Sequence, residues 1–448
     1  MKAMDFFETK NDYAFQRYFV KDLEDFLQSN YNVLFLIGPR KCGKTVALKQ
    51  LAKEFRAEYH DFKVESGKGI VIKIEQSILQ NEEKIYLLDE ITYKEFADRD
   101  LARWASDFDD VVNTKTKIIV TGSQSLAIRS WGHRAFSSTA KYLDVSFLSY
   151  SEWLAYEEKQ ACTETFNQFI WNTETFYRFS SIREYLQSCI DETIVSNSKS
   201  LNILFNNDCE DLTVDLLVAV LYTVMFTLHN HISVQSYKNS RLVPESIKYW
   251  FNQEISLDAC KQLDSIYSGL KGMNYEVFKK AIWFLVKTGL ITLTYFSQGI
   301  EDVVDIEMEL TTSYGKCKSI SEFFKHFNVC IKYPMFYISL LKELGCTGKL
   351  PGPLIGSVVE CYIRGLLGTI SYEYRKDDKE IDFIDYSSKV AIEFSVSGER
   401  TRDTNFSLLC EEWTCFLLTK DQEGTEGIQR IPYWKYVLKL EEKQKERF

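Results

Sequence analysis

The sequence predicts an α/β fold in which a parallel sheet is flanked by helices, followed by a helical region and a second α/β domain. Three observations lead to this prediction. An apolar run at residues 33–37 ends at a glycine-rich turn that opens a helix-patterned segment. Strand-like and helix-like segments then alternate, which is typical of a parallel sheet covered on both faces. A stretch rich in glycine and proline at residues 345–356 marks a boundary nearer the C-terminus.

Length and composition set further limits. At 448 residues the chain is too long for one hydrophobic core. The net charge of −10 argues against non-specific coating of nucleic acid. The longest mainly apolar run, Leu216–Leu228, is shorter than the roughly 20 residues of a membrane span, and eleven cysteines without a Cys-x-x-Cys pair fit a reducing compartment. We therefore expect a cytoplasmic protein without a membrane partner, with domains at residues 1–155, 156–345 and 346–448.

The most specific motif is the turn after the first apolar run, which reads Gly38-Pro39-Arg40-Lys41-Cys42-Gly43-Lys44-Thr45. Its two glycines let backbone N–H groups converge on a phosphate at the start of the following helix. Lys44 reaches the β- and γ-phosphates, and the Thr45 hydroxyl coordinates Mg²⁺. The alternative is a purely structural turn between a strand and a helix. The motif predicts the P-loop NTPase fold, with these eight residues holding nucleotide and Mg²⁺.

The remaining elements of the first domain follow from hydrophobic periodicity. Besides the strand at residues 33–37, we expect helices at Asp5–Gln28 and Asp98–Phe108 and strands at Gly69–Ile74, Lys84–Glu90, Lys117–Thr121 and Leu143–Leu148. In such a sheet the ligand lies at the carboxyl ends of the strands.

Five residues at or near strand ends are candidates for the chemistry. The strand at residues 84–90 ends in Asp89 and Glu90; Asp89 would support Mg²⁺ and Glu90 would polarise the attacking water. Ser123 follows the next strand and would sense the γ-phosphate, as would its neighbour Gln124, although such residues also make purely local hydrogen bonds in turns. Arg134 precedes the last strand and is a candidate arginine finger, the alternative being a solvated surface arginine.

The middle of the chain is helical in pattern, with a connector or lid at residues 151–198 and helices at Asp211–Leu228 and Phe323–Leu344. A helix at Asn274–Gly289, a strand at Leu290–Phe296 and a strand at Val303–Leu310 follow the winged-helix order. We expect the lysines of that helix, Lys279, Lys280 and Lys287, to face outward, towards DNA or a protein partner.

The C-terminal region has the pattern of a mixed α/β module. A helix at Gly356–Leu367 carries Glu360, and strands at residues 372–375, 379–383 and 390–396 carry Asp382 and Glu393. Clusters of carboxylates hold Mg²⁺ for phosphodiester cleavage. Ser395 stands where a catalytic lysine is expected, so we predict a degenerate site kept for structure or binding.

Together these motifs resemble the predicted AAA+-superfamily ATPases of prokaryotes that carry a C-terminal domain of unknown function. In that family the C-terminal part comprises a winged helix and a restriction-endonuclease-like core. The resemblance is carried by six segments, in the family's order: residues 38–45, Leu88-Asp89-Glu90, Thr121-Gly122-Ser123, Phe147-Leu148-Ser149-Tyr150-Ser151-Glu152-Trp153, Lys379-Glu380-Ile381-Asp382-Phe383 and Ala391-Ile392-Glu393-Phe394-Ser395.

The sequence departs from the family pattern at three places: Phe147 replaces a proline, His133 separates Gly132 from Arg134, and Ser395 replaces a lysine. The resemblance implies ATP rather than GTP as the nucleotide, and it is compatible with oligomerisation. Two hypotheses stay open: an Mg²⁺-dependent ATPase coupled to a C-terminal nucleic-acid- or protein-binding module, and an ATP-gated switch or DNA-binding protein with negligible turnover. A nuclease using Glu360, Asp382 and Glu393 is a third alternative.

Overall fold

A computed structural model describes most of the chain, with gaps. The described residues are 15–65, 68–93, 103–104, 106, 114–123, 125–136, 140–171, 181–195, 212–230, 261, 273–297, 310, 315–344, 352–367, 371–376, 379–395, 406, 409, 412–424 and 428–445. The chain divides into two compact units. The first unit comprises Met1–Glu152, Phe176–Ser180 and Glu184–Asp211, and the second comprises Trp153–Thr175, Ser181–Arg183 and Leu212–Phe448.

The first unit contains a five-stranded parallel sheet in the order β2-β3-β4-β1-β5. Its elements are α1 (Phe19–Gln28), β1 (Val33–Ile37), α2 (Lys44–Phe55), β2 (Glu58–Asp61), α3 (Lys68–Leu79), β3 (Ile85–Asp89), β4 (Lys117–Thr121), α4 (Ser125–Phe136) and β5 (Ala140–Asp144). A short 3-10 turn, Ile91–Tyr93, follows β3. The parallel sheet flanked by helices confirms the predicted fold class.

Strand β1 lies between β4 and β5 in this sheet, and all five of its side chains are buried. Phe35 and Ile37 belong to the core cluster that also includes residues of α3 and α4, while Leu34 and Leu36 are buried as well. A strand that is apolar at every position is typical of a parallel sheet covered on both faces. This arrangement places the carboxyl ends of β1, β3 and β4 side by side, at the edge where ligands bind in such sheets.

Two strand predictions in the first unit were wrong in position or type. Residues 69–74 lie in helix α3, where Val71, Ile74 and Ile78 form a buried stripe and Ile72 is 55% exposed. Their alternating isoleucines imitated a strand, but the apolar residues also recur at helical spacing. The actual second strand, β2, was missed because it is a half-buried edge strand of polar sequence. Strand β5 lies at Ala140–Asp144, a few residues before the predicted position.

Two helices, α5 (Tyr150–Tyr156) and α7 (Ile182–Val195), have residues in both units. The second unit contains a seven-stranded mixed sheet in the order β12-β11-β10-β9-β8-β6-β7. Its elements are α6 (Thr163–Trp171), α8 (Val214–Asn230), α9 (Tyr275–Lys287), β6 (Ile291–Ser297), α10 (Ile320–His326), β7 (Phe327–Ile331), α11 (Pro334–Glu343), α12 (Gly352–Leu367), β8 (Ser371–Lys376), β9 (Lys379–Asp385), β10 (Val390–Ser395), β11 (Thr414–Thr419), β12 (Gln429–Pro432) and α13 (Tyr433–Lys445). None of the helices in the described ranges combines the length and the apolar character needed to cross a membrane.

The structure changes the interpretation of the middle region. Helix α9 and strand β6 are present as expected, but β6 lies inside the seven-stranded sheet, antiparallel to β7 and parallel to β8. The predicted wing strand, Val303–Leu310, falls outside the described residues except for Leu310. The single helix predicted at Phe323–Leu344 was wrong: it is helix α10, strand β7 and helix α11. The sheet takes strands from both sides of residue 345, and the division into three domains stays a prediction.

Candidate functional site

The predicted phosphate loop lies between β1 and α2, and its two glycines are required by the local geometry. A Cβ atom at Gly38 would lie 2.4 Å from the carbonyl oxygen of Val145 and 2.6 Å from its Cγ2 atom, so no side chain fits. Gly43 precedes the first residue of α2 with φ of 102°, a left-handed conformation that glycine adopts at little cost. Close packing therefore requires a glycine at position 38, and the backbone conformation favours one at position 43.

Lys44 folds back over this loop. Its ammonium donates hydrogen bonds to the carbonyl oxygens of Gly38 at 2.7 Å and Pro39 at 2.8 Å, and it lies 3.8 Å from Cys42 Sγ. The residue is only 6% exposed. A buried ammonium needs acceptors, and the loop carbonyls supply them. The charge is thereby held at the carboxyl end of β1, within the phosphate loop.

Asp89 connects the phosphate loop to strand β3. Its carboxylate accepts hydrogen bonds from Tyr59 Oη at 2.9 Å and from the backbone N–H of Glu90 at 3.0 Å, and hydrogen bonding by the Thr45 side chain lowers its pKa. The two residues predicted to support Mg²⁺, Thr45 and Asp89, are therefore near each other. Tyr59 lies on the edge strand β2, and nothing in the sequence pattern marked it as a site residue.

Burial dominates the electrostatics of Asp89. Desolvation raises the pKa of this carboxyl, and the nearby charge of Glu90 raises it further, whereas the hydrogen bonds from Thr45, Tyr59 and the Glu90 N–H lower it; the net shift is upward. The pKa of Tyr59 is also raised, first by burial and then by the charge of Asp89. The phenol consequently stays protonated and remains a hydrogen-bond donor to Asp89.

Glu90 and Ser123 face each other across the ends of neighbouring strands. The backbone N–H and the hydroxyl of Ser123 both donate to Glu90 Oε2, at 3.1 and 2.7 Å. Glu90 has φ of 52°, which is unusual for a residue with a side chain and is common at functional sites. Strand β4, which precedes Ser123, lies between β3 and β1 as expected. The proposed base and the proposed γ-phosphate sensor are thus brought together.

The other candidates of the first unit have separate positions. Arg40 donates to the carbonyl oxygen of Ser188 in α7 at 2.8 Å, and Lys41 is exposed with φ of 63°. Arg134 lies in α4, but its side chain is outside the described part, as is Gln124. The arginine-finger role of Arg134 stays a prediction.

One further residue contacts the loop and was not found from the sequence. Arg17 precedes α1 and donates to the carbonyl oxygen of Cys42 at 2.6 Å. It also pairs with Glu152, the fourth residue of a Ser-x-x-Glu segment, Ser149–Glu152. That spacing is a helix-capping signal that can be read from the sequence, whereas the pairing with Arg17 cannot.

Two of the three predicted carboxylates of the second unit lie on neighbouring strands. Asp382 on β9 is opposite Glu393 on β10, because the antiparallel register pairs Phe383 with Ile392, and Asp382 accepts the backbone N–H of Phe394 at 2.8 Å. Glu393 is fully buried, and Glu360 forms an ion pair with Arg364 at 2.8 Å. Within the described ranges no group of three or more His, Cys, Asp or Glu side chains is placed to hold a metal ion. The role of these carboxylates stays a prediction.

The lysine face of helix α9 also differs from the prediction. Lys279 is buried, forms an ion pair with Glu276 at 3.1 Å and lies over the ring of Tyr275. Lys287 lies 4.0 Å from the ring centroid of Trp283. At least one of the three lysines expected to face outward is therefore part of the packed structure, and the DNA contact of this helix stays a prediction.

Comparison with known proteins supports the interpretation of the first unit. A family model described as "AAA domain" matches residues 30–154. No curated protein matches the sequence. Solved structures with similarity include ORC2 of Aeropyrum pernix in ADPNP and ADP complexes, with 12% identity, a TM-score of 0.32 and coverage of 63% of this chain and 88% of that one.

Two further structures are the Holliday junction branch migration motor RuvB of Thermotoga maritima and AMPPCP-bound DnaA of Aquifex aeolicus. RuvB has 13% identity, a TM-score of 0.27 and coverage of 63% and 91%. DnaA has 14% identity, a TM-score of 0.24 and coverage of 58% and 81%. Such identities and TM-scores are too low to transfer function. The first unit has the fold of a P-loop NTPase, and the AAA domain match over residues 30–154 supports nucleotide binding.

Proposed function

We propose that this chain binds ATP with Mg²⁺ in the first unit and hydrolyses it, and that the ATP cycle acts on a C-terminal nucleic-acid- or protein-binding module. The observation that carries the proposal is the position of two buried charged groups: Lys44 lies over the carbonyls of the phosphate loop, and Asp89 ends β3, where hydrogen bonding by Thr45 of the loop lowers its pKa. This arrangement supplies the two elements that phosphoryl transfer requires, a phosphate cradle and a metal-supporting carboxylate.

Each residue has a role that its position supports. Lys44 exchanges its loop carbonyls for the β- and γ-phosphate oxygens, with the backbone N–H groups of the loop around them, except at Pro39, which has none. Glu90 accepts a hydrogen bond from the attacking water and takes its proton. Ser123 holds the Glu90 carboxylate through two hydrogen bonds, and this orientation aims Glu90 at the water.

The donor set suits Mg²⁺. A hydroxyl oxygen from Thr45 and a carboxylate from Asp89 are hard oxygen groups of the kind that Mg²⁺ prefers, and these two residues would hold the ion together with the phosphates. When bound, the ion neutralises charge on the phosphates as the bond to the leaving group breaks. Tyr59 holds one oxygen of Asp89 at 2.9 Å, which fixes the orientation of that carboxylate.

Nucleotide binding and steady-state phosphate release test the proposal together. The native chain and Lys44→Ala are compared with Mg²⁺-ATP alone and in the presence of duplex or single-stranded DNA. We expect the native chain to turn over ATP and the variant to lose nucleotide affinity. Equal affinity and turnover for both proteins would contradict the proposal. Stimulation by DNA would assign the C-terminal module to nucleic acid.

A second candidate function is an ATP-gated switch or DNA-binding protein with negligible turnover. The observation that favours it is the engagement of Glu90 Oε2 by both donors of Ser123, because a carboxylate held in this way has to rearrange if the same oxygen is to bind water. In that case the native chain binds ATP, shows nucleotide-dependent binding of DNA or a protein, and releases phosphate no faster than Glu90→Gln.

For the C-terminal α/β module we propose a binding role rather than phosphodiester cleavage. Arg364 neutralises Glu360 in the structure, and Ser395 occupies the position where a lysine is expected. Loss of one positioned catalytic group removes about 10²- to 10⁴-fold of rate. Incubation with plasmid and single-stranded DNA in Mg²⁺ is expected to leave both substrates intact. Cleavage that is lost in Asp382→Asn would contradict this assignment.

A further inference from the structure

Arg17 connects three separate parts of the first unit. Its guanidinium donates from Nη1 to the Cys42 carbonyl at 2.6 Å, from Nη2 to the Ser146 carbonyl at 3.1 Å, and to both carboxylate oxygens of Glu152 at 2.8 and 3.0 Å. The side chains of Arg17 and Glu152 are 14% and 5% exposed. A charge-assisted fork of this kind is among the strongest and most directional contacts in proteins.

Glu152 is itself fixed by the chain around it. Its carboxylate accepts the backbone N–H groups of Ser149 and Tyr18, at 3.0 and 2.9 Å. Its own N–H donates to the Ser149 hydroxyl at 3.2 Å, which completes a reciprocal capping box at the start of α5. The Glu152 carboxylate thus accepts four hydrogen bonds, two from Arg17 and one each from Tyr18 and Ser149. Because the backbone bonds fix the carboxylate, it holds the Arg17 guanidinium in one position.

The bond to Cys42 determines the direction of one peptide group in the phosphate loop. The peptide between Cys42 and Gly43 is trans, as no cis peptide bond occurs in the described residues. In a trans peptide the C=O and N–H groups point in opposite directions. Fixing the Cys42 carbonyl on Arg17 therefore points the N–H of Gly43 away from Arg17. A glycine at this position would otherwise permit the peptide to rotate, since Gly43 has no Cβ to restrict φ.

We propose that Arg17 is a positioning residue for phosphate binding, which holds the Gly43 N–H in the orientation that donates a hydrogen bond to an anionic phosphate oxygen. This inference rests on the proposed nucleotide site and assigns to that site a residue outside the phosphate-loop motif. Pre-organised donors bind more tightly because less conformational entropy is lost on binding. The gain in affinity applies to ADP as well as ATP, because it comes from the phosphate cradle and not from contacts to the γ-phosphate.

Arginine is suited to this role and lysine is not. A planar guanidinium donates in several directions at once, so it can bind Glu152 and the Cys42 carbonyl together, whereas an ammonium is a point charge on a flexible stem. Arg17→Lys keeps a positive charge opposite Glu152 and is expected to retain most of the stability. It loses the directional bond to Cys42, and Arg17→Gln loses the charge as well. The two variants separate a positioning role from a purely structural one.

The test measures ADP affinity by titration calorimetry and thermal unfolding for the full-length native chain, Arg17→Lys and Arg17→Gln. The matched control is Arg129→Gln, which removes an arginine from an exposed ion pair with Asp144 in the same unit. We expect ADP affinity to fall about tenfold in Arg17→Lys and further in Arg17→Gln, with native affinity in the control. We also expect the unfolding temperature of Arg17→Lys to stay near that of the native chain.

The outcomes distinguish this inference from the proposed function. If the native chain binds ADP and both Arg17 variants bind it equally well, with only the unfolding temperature lowered, Arg17 is structural and the inference fails while nucleotide binding stands. If the native chain binds neither ADP nor ATP, both fail. If Arg17→Gln does not fold, the affinity and unfolding temperature of Arg17→Lys decide the question.

Discussion

Ser123 and Glu90 are joined by two hydrogen bonds that end on the same carboxylate oxygen, one from the backbone N–H and one from the hydroxyl of Ser123. The residues are 33 positions apart and follow strands that are neighbours in the sheet. Because one bond involves the backbone and the other a side chain, a single substitution removes half of the contact and leaves the other half. The pair is therefore a sensitive test of the proposed chemistry.

Ser123→Ala is expected to lower kcat for ATP hydrolysis by about 10- to 100-fold, the value of one hydrogen bond to a charged group. KM should change little, because Ser123 orients Glu90 and the phosphate loop is intact. Ser387→Ala is the control, since it removes a hydroxyl bonded to the carboxylate of Asp385 in the second unit at 2.6 Å. A native kcat in Ser123→Ala would show that Ser123 does not orient the base.

Asp89→Asn is expected to stabilise the nucleotide-free protein at pH 8 while weakening Mg²⁺-ATP binding. Burial raises the pKa of Asp89 above the ordinary value of 3.8. Its contribution to stability is fully present below pH 3.8 and is lost as the pH rises through the folded-state pKa. Asparagine avoids that loss, so its gain in unfolding temperature should be largest at pH 8 and should shrink towards pH 4.

Asp385→Asn is the control, because its effect on the unfolding temperature at pH 8 is expected to have the opposite sign. Burial raises the pKa of Asp385, but hydrogen bonds from Ser387 and Ser388 outweigh it, and the net shift is downward. Its contribution to stability is present above pH 3.8 and is lost as the pH falls through the folded-state pKa. Asp385→Asn should therefore lower the unfolding temperature at pH 8. If both variants changed the unfolding temperature at pH 8 in the same direction, the opposite pKa shifts assigned to Asp89 and Asp385 would be contradicted.

Gly38→Ala and Gly69→Ala should change stability in opposite directions. The new methyl group at position 38 overlaps the backbone of Val145, and we expect a loss of about 3 kcal/mol or more, as for severe overpacking, together with loss of nucleotide binding. Gly69 lies in helix α3 with open space around its Cα, so alanine there should stabilise the protein by up to about 1 kcal/mol. Denaturant unfolding measures both. Equal effects would mean that Gly38 is not closely packed.

Glu152→Gln is expected to destabilise the protein by about 3–5 kcal/mol at pH 7, because it leaves the buried Arg17 without a counter-charge. Burial raises the pKa of Glu152, but the charge of Arg17 and the hydrogen bonds from Arg17, Ser149 and Tyr18 bring it below the ordinary value of 4.5. The native chain is therefore more stable than Glu152→Gln above pH 4.5, and this difference in the free energy of unfolding should disappear as the pH falls through the folded-state pKa of Glu152.

The control for Glu152→Gln is Asp144→Asn, which breaks the exposed ion pair with Arg129, where the Asp144 side chain is 64% exposed. Exposed pairs contribute at most about 1 kcal/mol. Denaturant unfolding of both variants over a range of pH measures the difference. A cost for Glu152→Gln no larger than that for Asp144→Asn, or one that does not depend on pH, would contradict the buried pair.

The sequence was informative where chemistry and local spacing coincide. The phosphate loop, Asp89 and Ser123 were predicted from short segments next to apolar strands, and the sheet places them at adjacent strand ends. Residues 69–74 show the limit of periodicity: the isoleucines at every second position predict a strand, whereas the buried side chains Val71, Ile74 and Ile78 recur at helical spacing.

The supporting contacts could not be predicted because they join distant segments. Arg17 and Glu152 are 135 positions apart, and Tyr59 reaches Asp89 from an edge strand that has no apolar pattern. In the second unit, the ion pair between Glu360 and Arg364 is different, because it lies within one helix at i,i+4 spacing and could be predicted from the sequence.

The most direct test of the account is the rate of Mg²⁺-dependent ATP hydrolysis by the native chain and by Glu90→Gln, with ATP binding measured in parallel. Glutamine has the shape of glutamate and accepts the hydrogen bonds of Ser123 through its carbonyl oxygen, but it cannot take a proton from water. The account predicts native-like ATP binding and a kcat at least about 100-fold lower in Glu90→Gln. Equal turnover in the two proteins would contradict the role of Glu90 as the base that activates water.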